Sequence, residues 1–204
     1  MTSIDSAFTV VTAEMTYEVL DRRWMSIRTH HVFKLRAEKP HRFYFREYFW
    51  DNEQGIEKPP RLLSGRKPSG RTAHRLLGPV IVGPKGSRLL VIDLGRVVEP
   101  GQTEIVEIEH FFVRVSPEDE GYVGARGQDG MEQVQLTAIL PARPDLRPHF
   151  KSRNGDTDGE EWDEFEMLEG ARARSRRIKI ERTVTEPLAG HRYRLGWDQK
   201  VTDV

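Results

Sequence analysis

The sequence contains no cysteine among its 204 residues. It can therefore form no disulfide and no thiolate-based catalytic or zinc site, a composition that is common in reducing compartments. It also lacks the N-terminal apolar segment of a signal peptide, and no apolar run reaches the ~18 residues of a transmembrane helix. We therefore predict a cytoplasmic protein without membrane association.

Net charge is absent as well, because 32 Lys and Arg residues balance 32 Asp and Glu residues. Binding of nucleic acid or anionic lipid by the chain as a whole is not favoured, since it requires a positive surface field. The chain length and a hydrophobic content of 37% still allow a buried core. We predict a globular protein whose charged partners are recognised locally.

Recognisable catalytic and metal-binding motifs are missing too. The chain has no H-x-H, no H-E-x-x-H, no G-x-S-x-G and no glycine-rich phosphate loop. The adjacent His30 and His31 point to opposite faces of a strand, which separates two potential metal ligands. We therefore predict that the chain is not an enzyme and has no catalytic residue, no metal site and no cofactor.

Residues 154–159 are a partial exception, because they match the first half of a calcium-binding loop. The match ends at position 12 of the loop, where Phe165 stands in place of the bidentate glutamate. Tracts of Asn, Gly and Asp are also ordinary turn formers, so calcium binding stays an open alternative.

The sequence does contain a hydrophobic period of two, which is typical of half-buried β-strands. Nine segments rich in β-branched and aromatic residues carry it, and turn residues separate them. They are Phe8–Leu20, Met25–Leu35, Arg42–Trp50, Leu76–Val82, Arg88–Val98, Thr103–Val115, Gln133–Leu140, Arg177–Val184 and His191–Trp197. Their number and length favour one antiparallel β-sandwich, immunoglobulin-like or jelly-roll-like, over residues 1–204.

One short helix is predicted at Glu160–Arg172, where Trp162, Phe165 and Leu168 recur every three residues behind an acidic first turn. Stretches rich in Pro, Gly and polar residues predict long loops near residues 51–75, 116–130 and 142–159. Because loops on a rigid sandwich commonly carry function, these three loops are the predicted interaction surfaces.

Charge is distributed unevenly along the chain despite the zero total. Residues 22–88 contain sixteen Lys and Arg against five acids, a net charge of +11, and residues 61–88 contain no acid. Residues 89–121 hold eight acids and two arginines, and residues 154–169 hold eight acids and no base. A basic loop beside an aromatic strand could bind phosphates and stack bases, as single-strand binders do. The candidate binding residues are Trp50, Arg61, Arg66, Lys67, Arg71 and Arg75.

Two alternatives to an anionic partner remain. The acidic segments could fold back onto the basic one, with the alternating aromatics packing in the core. Opposite charges could also meet between copies of the chain and produce head-to-tail self-association.

The last hairpin has a spaced pattern of turn and aromatic residues, Pro187-x-x-Gly190-x-x-Tyr193-x-Leu195-x-Trp197. It follows the strand Leu136–Pro141 and the turn Val97–Gly101. This spacing resembles β-sandwich accessory domains of actinobacterial regulatory proteins, which often follow a helix-turn-helix segment. The resemblance implies an interaction or sensing module without known catalytic residues, and because this chain lacks a helix-turn-helix it would stand alone or act with a partner.

Three functions are compatible with these observations. The first is a non-enzymatic module that binds a macromolecular partner, with a protein as the favoured class. The second is nucleic-acid binding through basic residues 58–88. The third is binding of a small molecule or carbohydrate at one end of the sandwich, where Trp50, Trp162 or Trp197 would stack on a ring. A homo-oligomer is compatible with each, because edge strands can pair between copies.

Overall fold

The computed structural model describes residues 7–49, 55–57, 60–64, 74–81, 87–114, 120–142, 146–155, 162–168 and 176–198. These residues form fourteen β-strands and no helix. In chain order the strands are β1 (Phe8–Val19), β2 (Ser26–Ala37), β3 (His41–Phe49), β4 (Gly55–Glu57), β5 (Arg61–Leu62), β6 (Arg75–Ile81), β7 (Ser87–Val98), β8 (Thr103–Arg114), β9 (Glu120–Arg126), β10 (Gln133–Pro141), β11 (Pro148–Arg153), β12 (Glu164–Met167), β13 (Arg177–Thr185) and β14 (Arg192–Asp198).

The strands are arranged in three sheets. The largest sheet has seven strands in the order β13-β10-β1-β2-β8, with β4 and β5 both pairing with β8. Strands β1 and β10 run parallel, and the other pairs of this sheet are antiparallel. A four-stranded sheet has the order β12-β11-β14-β9, and a three-stranded sheet has the order β3-β7-β6.

Both smaller sheets pack on the same face of the seven-stranded sheet. Tyr17 of β1 meets Trp197 of β14 with ring centroids 5.3 Å apart, and Phe33 of β2 lies 6.4 Å from Tyr44 of β3. A register shift after Val10 keeps the apolar residues before and after it on this inner face. The prediction of an all-β, sandwich-like fold is therefore confirmed, and the alternation in the sequence explains it.

The predicted helix at Glu160–Arg172 is wrong where the structure describes it. Residues Glu164–Met167 form strand β12, which pairs antiparallel with β11. The acids Glu164 and Glu166 alternate with the apolar Phe165 and Met167, so the same residues also fit a period of two. Backbone pairing with β11 decides between the two patterns, since a four-residue segment has little helix stability of its own.

The predicted loops contain strands as well. Strands β4 and β5 lie within residues 51–75, β9 lies within residues 116–130, and β11 lies within residues 142–159. Short edge strands of two or three residues carry too little alternation to be separated from loop in a sequence. No helix long and apolar enough to cross a membrane is found in the part of the chain that the structure describes. The assignment of residues 1–204 to one domain stays a prediction.

Candidate interaction surface

The outer side of the four-stranded sheet collects aromatic and cationic side chains on one surface. Strand register places Tyr122, Gly196, His149 and Met167 in one row across the sheet. The next row contains Gly124, Arg194, Lys151 and Phe165. We call this surface the aromatic–cationic face, and it comprises Tyr122, His149, Lys151, Arg153, Trp162, Phe165, Met167 and Arg194.

Three large apolar side chains of this face are open to solvent. Tyr122 is 44% exposed, Phe165 is 56% exposed and Met167 is 52% exposed. Side chains alternate between the two sides of a strand. Val123 of β9 and Phe150 of β11 therefore point to the inner side, where both are buried in the core. A grouped exposure of this kind is uncommon on monomeric surfaces and is typical of interaction sites.

Cations lie over the rings of the aromatic–cationic face. The Arg194 guanidinium lies between two rings, with its carbon 4.2 Å from the Tyr122 centroid and 5.1 Å from the Trp162 centroid. Arg153 and Lys151 approach the same indole at 5.0 Å and 5.7 Å. Such contacts orient the flexible side chains before a partner arrives and so reduce the entropy that binding must overcome.

Two glycines allow these side chains to lie close to the sheet. A Cβ at Gly196 would stand 2.5 Å from Nε2 of His149, so the imidazole occupies the space that a side chain would need. A Cβ at Gly124 would come within 3.3 Å of Cγ of Arg194. The His149 ring stacks at 5.3 Å on Phe165, and its Nδ1 donates to the carbonyl of Arg147 at 3.3 Å. The His149 ring therefore lies close to the backbone of β14 and in contact with Phe165.

The acids of β12 point to the other side of the sheet. The Glu164 carboxylate accepts a hydrogen bond from the buried Ser152 at 2.9 Å, and Glu166 pairs with Arg182 of β13 at 2.8 Å. Alternation therefore gives the outer side of β12 its apolar residues and the inner side its carboxylates. The aromatic–cationic face is left with a predominance of positive charge.

Two of the six binding residues that the sequence predicted lie in the described part of the chain. Trp50, Arg66, Lys67 and Arg71 lie outside the described residues. Arg61 belongs to β5 of the seven-stranded sheet, whereas Arg75 belongs to β6 at the edge of the three-stranded sheet. Their assignment as binding residues stays a prediction.

Arg61 and Arg42, both within residues 22–88, pair with acids of the stretch 89–121. Arg61 meets Glu109 at 3.4 Å. In the adjoining three-stranded sheet Arg42 forms two hydrogen bonds of 2.7 and 2.8 Å with Asp93, which lies opposite Arg75. The Arg42 guanidinium lowers the pKa of Asp93 to about 2. The described acids Glu164 and Glu166 contact Ser152 of β11 and Arg182 of β13.

A buried Ser–His–Glu contact lies beside the basic segment. Ser64 Oγ is 3.0 Å from Nδ1 of His74, and Nε2 of His74 is 3.2 Å from Glu104. In serine hydrolases the serine meets Nε2 and the carboxylate meets Nδ1, which is the reverse order. Glu104 also binds Arg96 at 2.8 Å. We interpret the contact as a structural link between the basic segment and β8.

The described residues do not bring together a set of metal ligands. No group of three His, Asp or Glu side chains in the described ranges could hold a metal ion. In the calcium-like stretch, the backbone N–H of Asn154 donates to the Asp163 carboxylate at 2.6 Å. Residues 156–159 of that stretch lie outside the described residues.

Sequence reasoning missed the aromatic–cationic face because β9, β11 and β12 were assigned to loops and a helix, and only β14 was predicted as a strand. The face combines strands from three parts of the sequence, β9, the pair β11 and β12, and β14, and only their pairing brings Tyr122 and Phe165 onto one surface. The alternation of Lys151 and Arg153 with Phe150 and Ser152 was the signal that could have identified β11.

Comparison with known proteins identifies similar structures but no similar sequence. No protein-family model and no curated protein matches the chain. An M1 zinc metallopeptidase from Deinococcus radiodurans matches 94% of this chain with a TM-score of 0.53 and 10% identity, and a mutant of it bound to a Tyr-Ser-Ala substrate matches with a TM-score of 0.55. A putative protease from Parabacteroides distasonis matches 95% of this chain with a TM-score of 0.51 and 10% identity.

These matches show a shared β fold. The chain spans about two fifths of the peptidase structures, 42% of the first and 41% of the third.

Proposed function

We propose that this chain is a non-catalytic β-domain that binds a protein partner through the aromatic–cationic face. The observation that carries the proposal is the grouping of exposed Tyr122, Phe165 and Met167 with ring-stacked Arg194 on the outer side of one sheet. Tyr, Trp, Phe, Met and Arg are the residue types that are enriched in protein interfaces and in their energetic centres. A regulatory role, as the family resemblance implies, is compatible with this proposal.

Charge defines the chemistry of the partner. Lys151, Arg153 and Arg194 lie on the face, while the carboxylates of Glu164 and Glu166 lie on the opposite side. The complementary surface carries carboxylates around an apolar centre, because complementary charge guides docking and apolar contact supplies affinity. The partner is therefore a protein with an acidic, apolar-centred surface.

The structural neighbours support a role beside another protein component. In the M1 metallopeptidases the matching β region belongs to a chain more than twice as long as the matched part. A β region of this fold is thus compatible with attachment to further protein structure. For the present chain, the aromatic–cationic face is the described surface best suited to such contact.

The proposal is tested by affinity capture from a lysate, followed by reconstitution with the purified candidate. The double variant Phe165→Ser with Arg194→Ala removes the apolar centre and a stacked cation. Ile105→Ser is the matched control, because Ile105 is also 56% exposed but lies on the seven-stranded sheet. We expect direct binding of one acidic protein to the wild type and the control, with loss of about tenfold or more in affinity for the double variant.

Two outcomes would contradict the proposal. The first is a partner that binds the double variant as tightly as the wild type. The second is nuclease-sensitive capture of nucleic acid in place of a protein, which would favour the alternative function through residues 58–88.

A further inference from the structure

A cavity lies at the end of the β1–β2 hairpin, apart from the aromatic–cationic face. Its described lining residues are Arg22 and Trp24 from the hairpin turn, Pro141 and Ala142 from the end of β10, and Arg176 just before β13. The cavity has a volume of about 430 Å³, which is within the usual range for small-molecule sites. We call it the Trp24 pocket.

The hairpin turn fixes the indole in an unusual backbone conformation. Trp24 has a φ of 61°, a value that bulky side chains rarely adopt, and the side chain is nevertheless buried. The Asp21 carboxylate accepts hydrogen bonds from the backbone N–H groups of Arg23, Met25 and Ser26 at 2.8, 3.2 and 2.6 Å. These bonds offset the strain and hold the indole in place.

The opposite wall of the pocket is fixed by backbone pairing. The N–H of Ala142 donates to the carbonyl of Arg176 at 3.1 Å, next to the Pro141–Arg177 pair of the β10–β13 ladder. The Arg177 side chain turns away, where it binds Glu18 and the carbonyl of Leu20. Arg177 is therefore bonded to Glu18 and Leu20, whereas its neighbour Arg176 lines the pocket.

The charge of the Trp24 pocket differs from that of the other large cavities. A cavity of about 500 Å³ on the outer side of the seven-stranded sheet contains Arg28, but Glu18 neutralises it at 2.5 Å. A third cavity of about 510 Å³ contains Arg96, which Glu104 neutralises at 2.8 Å. The described lining of the Trp24 pocket has two guanidinium groups and no carboxylate. Within the described ranges, neither Arg22 nor Arg176 has a side-chain ion pair.

We propose that the Trp24 pocket binds a small organic oxyanion, a carboxylate or a phosphate ester, attached to an aromatic or aliphatic group. Guanidinium groups form planar, paired hydrogen bonds with carboxylate and phosphate oxygens. The indole of Trp24 with Pro141 and Ala142 supplies the apolar floor for the attached group. This site is separate from the aromatic–cationic face, so its occupancy does not depend on the proposed partner.

Binding is tested by titrating the whole chain with benzoate and with phenyl phosphate, which distinguishes the two oxyanions. Two controls separate the contributions of ring and charge. Benzyl alcohol has an aromatic ring without an anionic group, and inorganic phosphate is an oxyanion without a ring. The indole N–H signal of Trp24 in nitrogen–proton NMR, assigned with Trp24→Phe, reports binding at the site. We expect a saturable shift with at least one of the two aromatic anions and affinities at least about tenfold weaker for both controls.

Matched variants separate the pocket from general charge effects. Arg22→Gln and Arg176→Gln remove exposed side chains and should each weaken binding by about tenfold. Arg23→Gln, in the same turn but outside the lining, should leave binding unchanged. The proposal is overturned by no saturable shift at millimolar anion, by equal binding of either control ligand, or by an equal loss in Arg23→Gln.

Discussion

The outer sides of the seven-stranded and four-stranded sheets use their charged residues in different ways. On the seven-stranded sheet, Arg28 forms an ion pair with Glu18 at 2.5 Å and His30 hydrogen-bonds Glu107 at 2.7 Å, so polar side chains meet across strands. On the four-stranded sheet, Arg194 lies over the rings of Tyr122 and Trp162. The first arrangement pairs cations with carboxylates, whereas the second places a cation over aromatic rings beside the exposed Tyr122. A zero net charge is therefore compatible with two surfaces that hold their cations in different ways.

The largest expected effect separates the two sides of the four-stranded sheet. Trp197 is fully buried on the inner side against Tyr17. Trp197→Ala should lower the free energy of unfolding by about 3–5 kcal/mol, because it removes apolar contacts and leaves a cavity. Phe165→Ala on the outer side should cost about 1 kcal/mol or less. Urea denaturation of both variants measures the difference, and equal losses would show that the outer side is also part of the core.

A smaller effect is expected where the aromatic–cationic face lies closest to the backbone. Gly196→Ala should cost about 1–3 kcal/mol, because the new Cβ overlaps the His149 ring. The same substitution should cost less in a His149→Ala background, where the ring is absent. The double-mutant cycle is read from urea midpoints. An unchanged cost in that background would mean that the glycine is required for another reason.

The ion-paired side of the molecule should respond to acid. Burial alone would raise the pKa of Glu18, but hydrogen bonds from Arg28 and Arg177 outweigh it and hold that pKa below its ordinary value of 4.5. A lowered folded-state pKa contributes stability above pH 4.5, and this contribution is lost as the pH falls through the folded-state value. Glu18→Gln should therefore be less stable than the wild type at pH 7, and the difference should shrink on acidification.

The control for this titration lies on the other face. Arg194→Gln removes a cation that lies over two aromatic rings, so its stability difference from the wild type should stay constant between pH 7 and pH 3. Denaturation series at several pH values measure both variants. A pH-independent difference for Glu18→Gln would contradict the account of the ion-paired surface.

The smallest effect is expected for an exposed pair within the ion-paired region. Arg61 is largely exposed and meets Glu109 at 3.4 Å. Arg61→Gln should change the free energy of unfolding by about 0–1 kcal/mol, because solvent screens such pairs. Urea denaturation measures this change. A loss well above that range would show that Arg61 has a structural role beyond one surface ion pair.

Much of the fold was predictable because its strands alternate strongly. All nine predicted strands coincide with observed strands, including β8, where Val106 and Ile108 are buried and Glu107 lies on the other face. Alternation can be recognised in a sequence because it depends only on which residues of a single strand are apolar and which are polar. It does not reveal which strands pair, so the division into three sheets was not predicted.

The candidate surface was less predictable for the same reason. Tyr122, Lys151 and Phe165 belong to strands separated by long segments, and their proximity arises only from the order β12-β11-β14-β9. The Trp24 pocket likewise joins residues from the hairpin turn and from residues 141–176. Charge counting emphasised the basic segment instead, because a linear count does not show that Arg61 meets Glu109 across a strand pair.

The most direct test of the central claim is hydroxyl-radical footprinting of the chain, free and in complex with its purified partner. We expect Tyr122, Trp162, Phe165 and Met167 to become protected from oxidation, while the exposed Ile105 and Leu188 keep their reactivity. Protection of Ile105 with no change at Tyr122, Phe165 and Met167 would place the partner on the seven-stranded sheet and contradict the account.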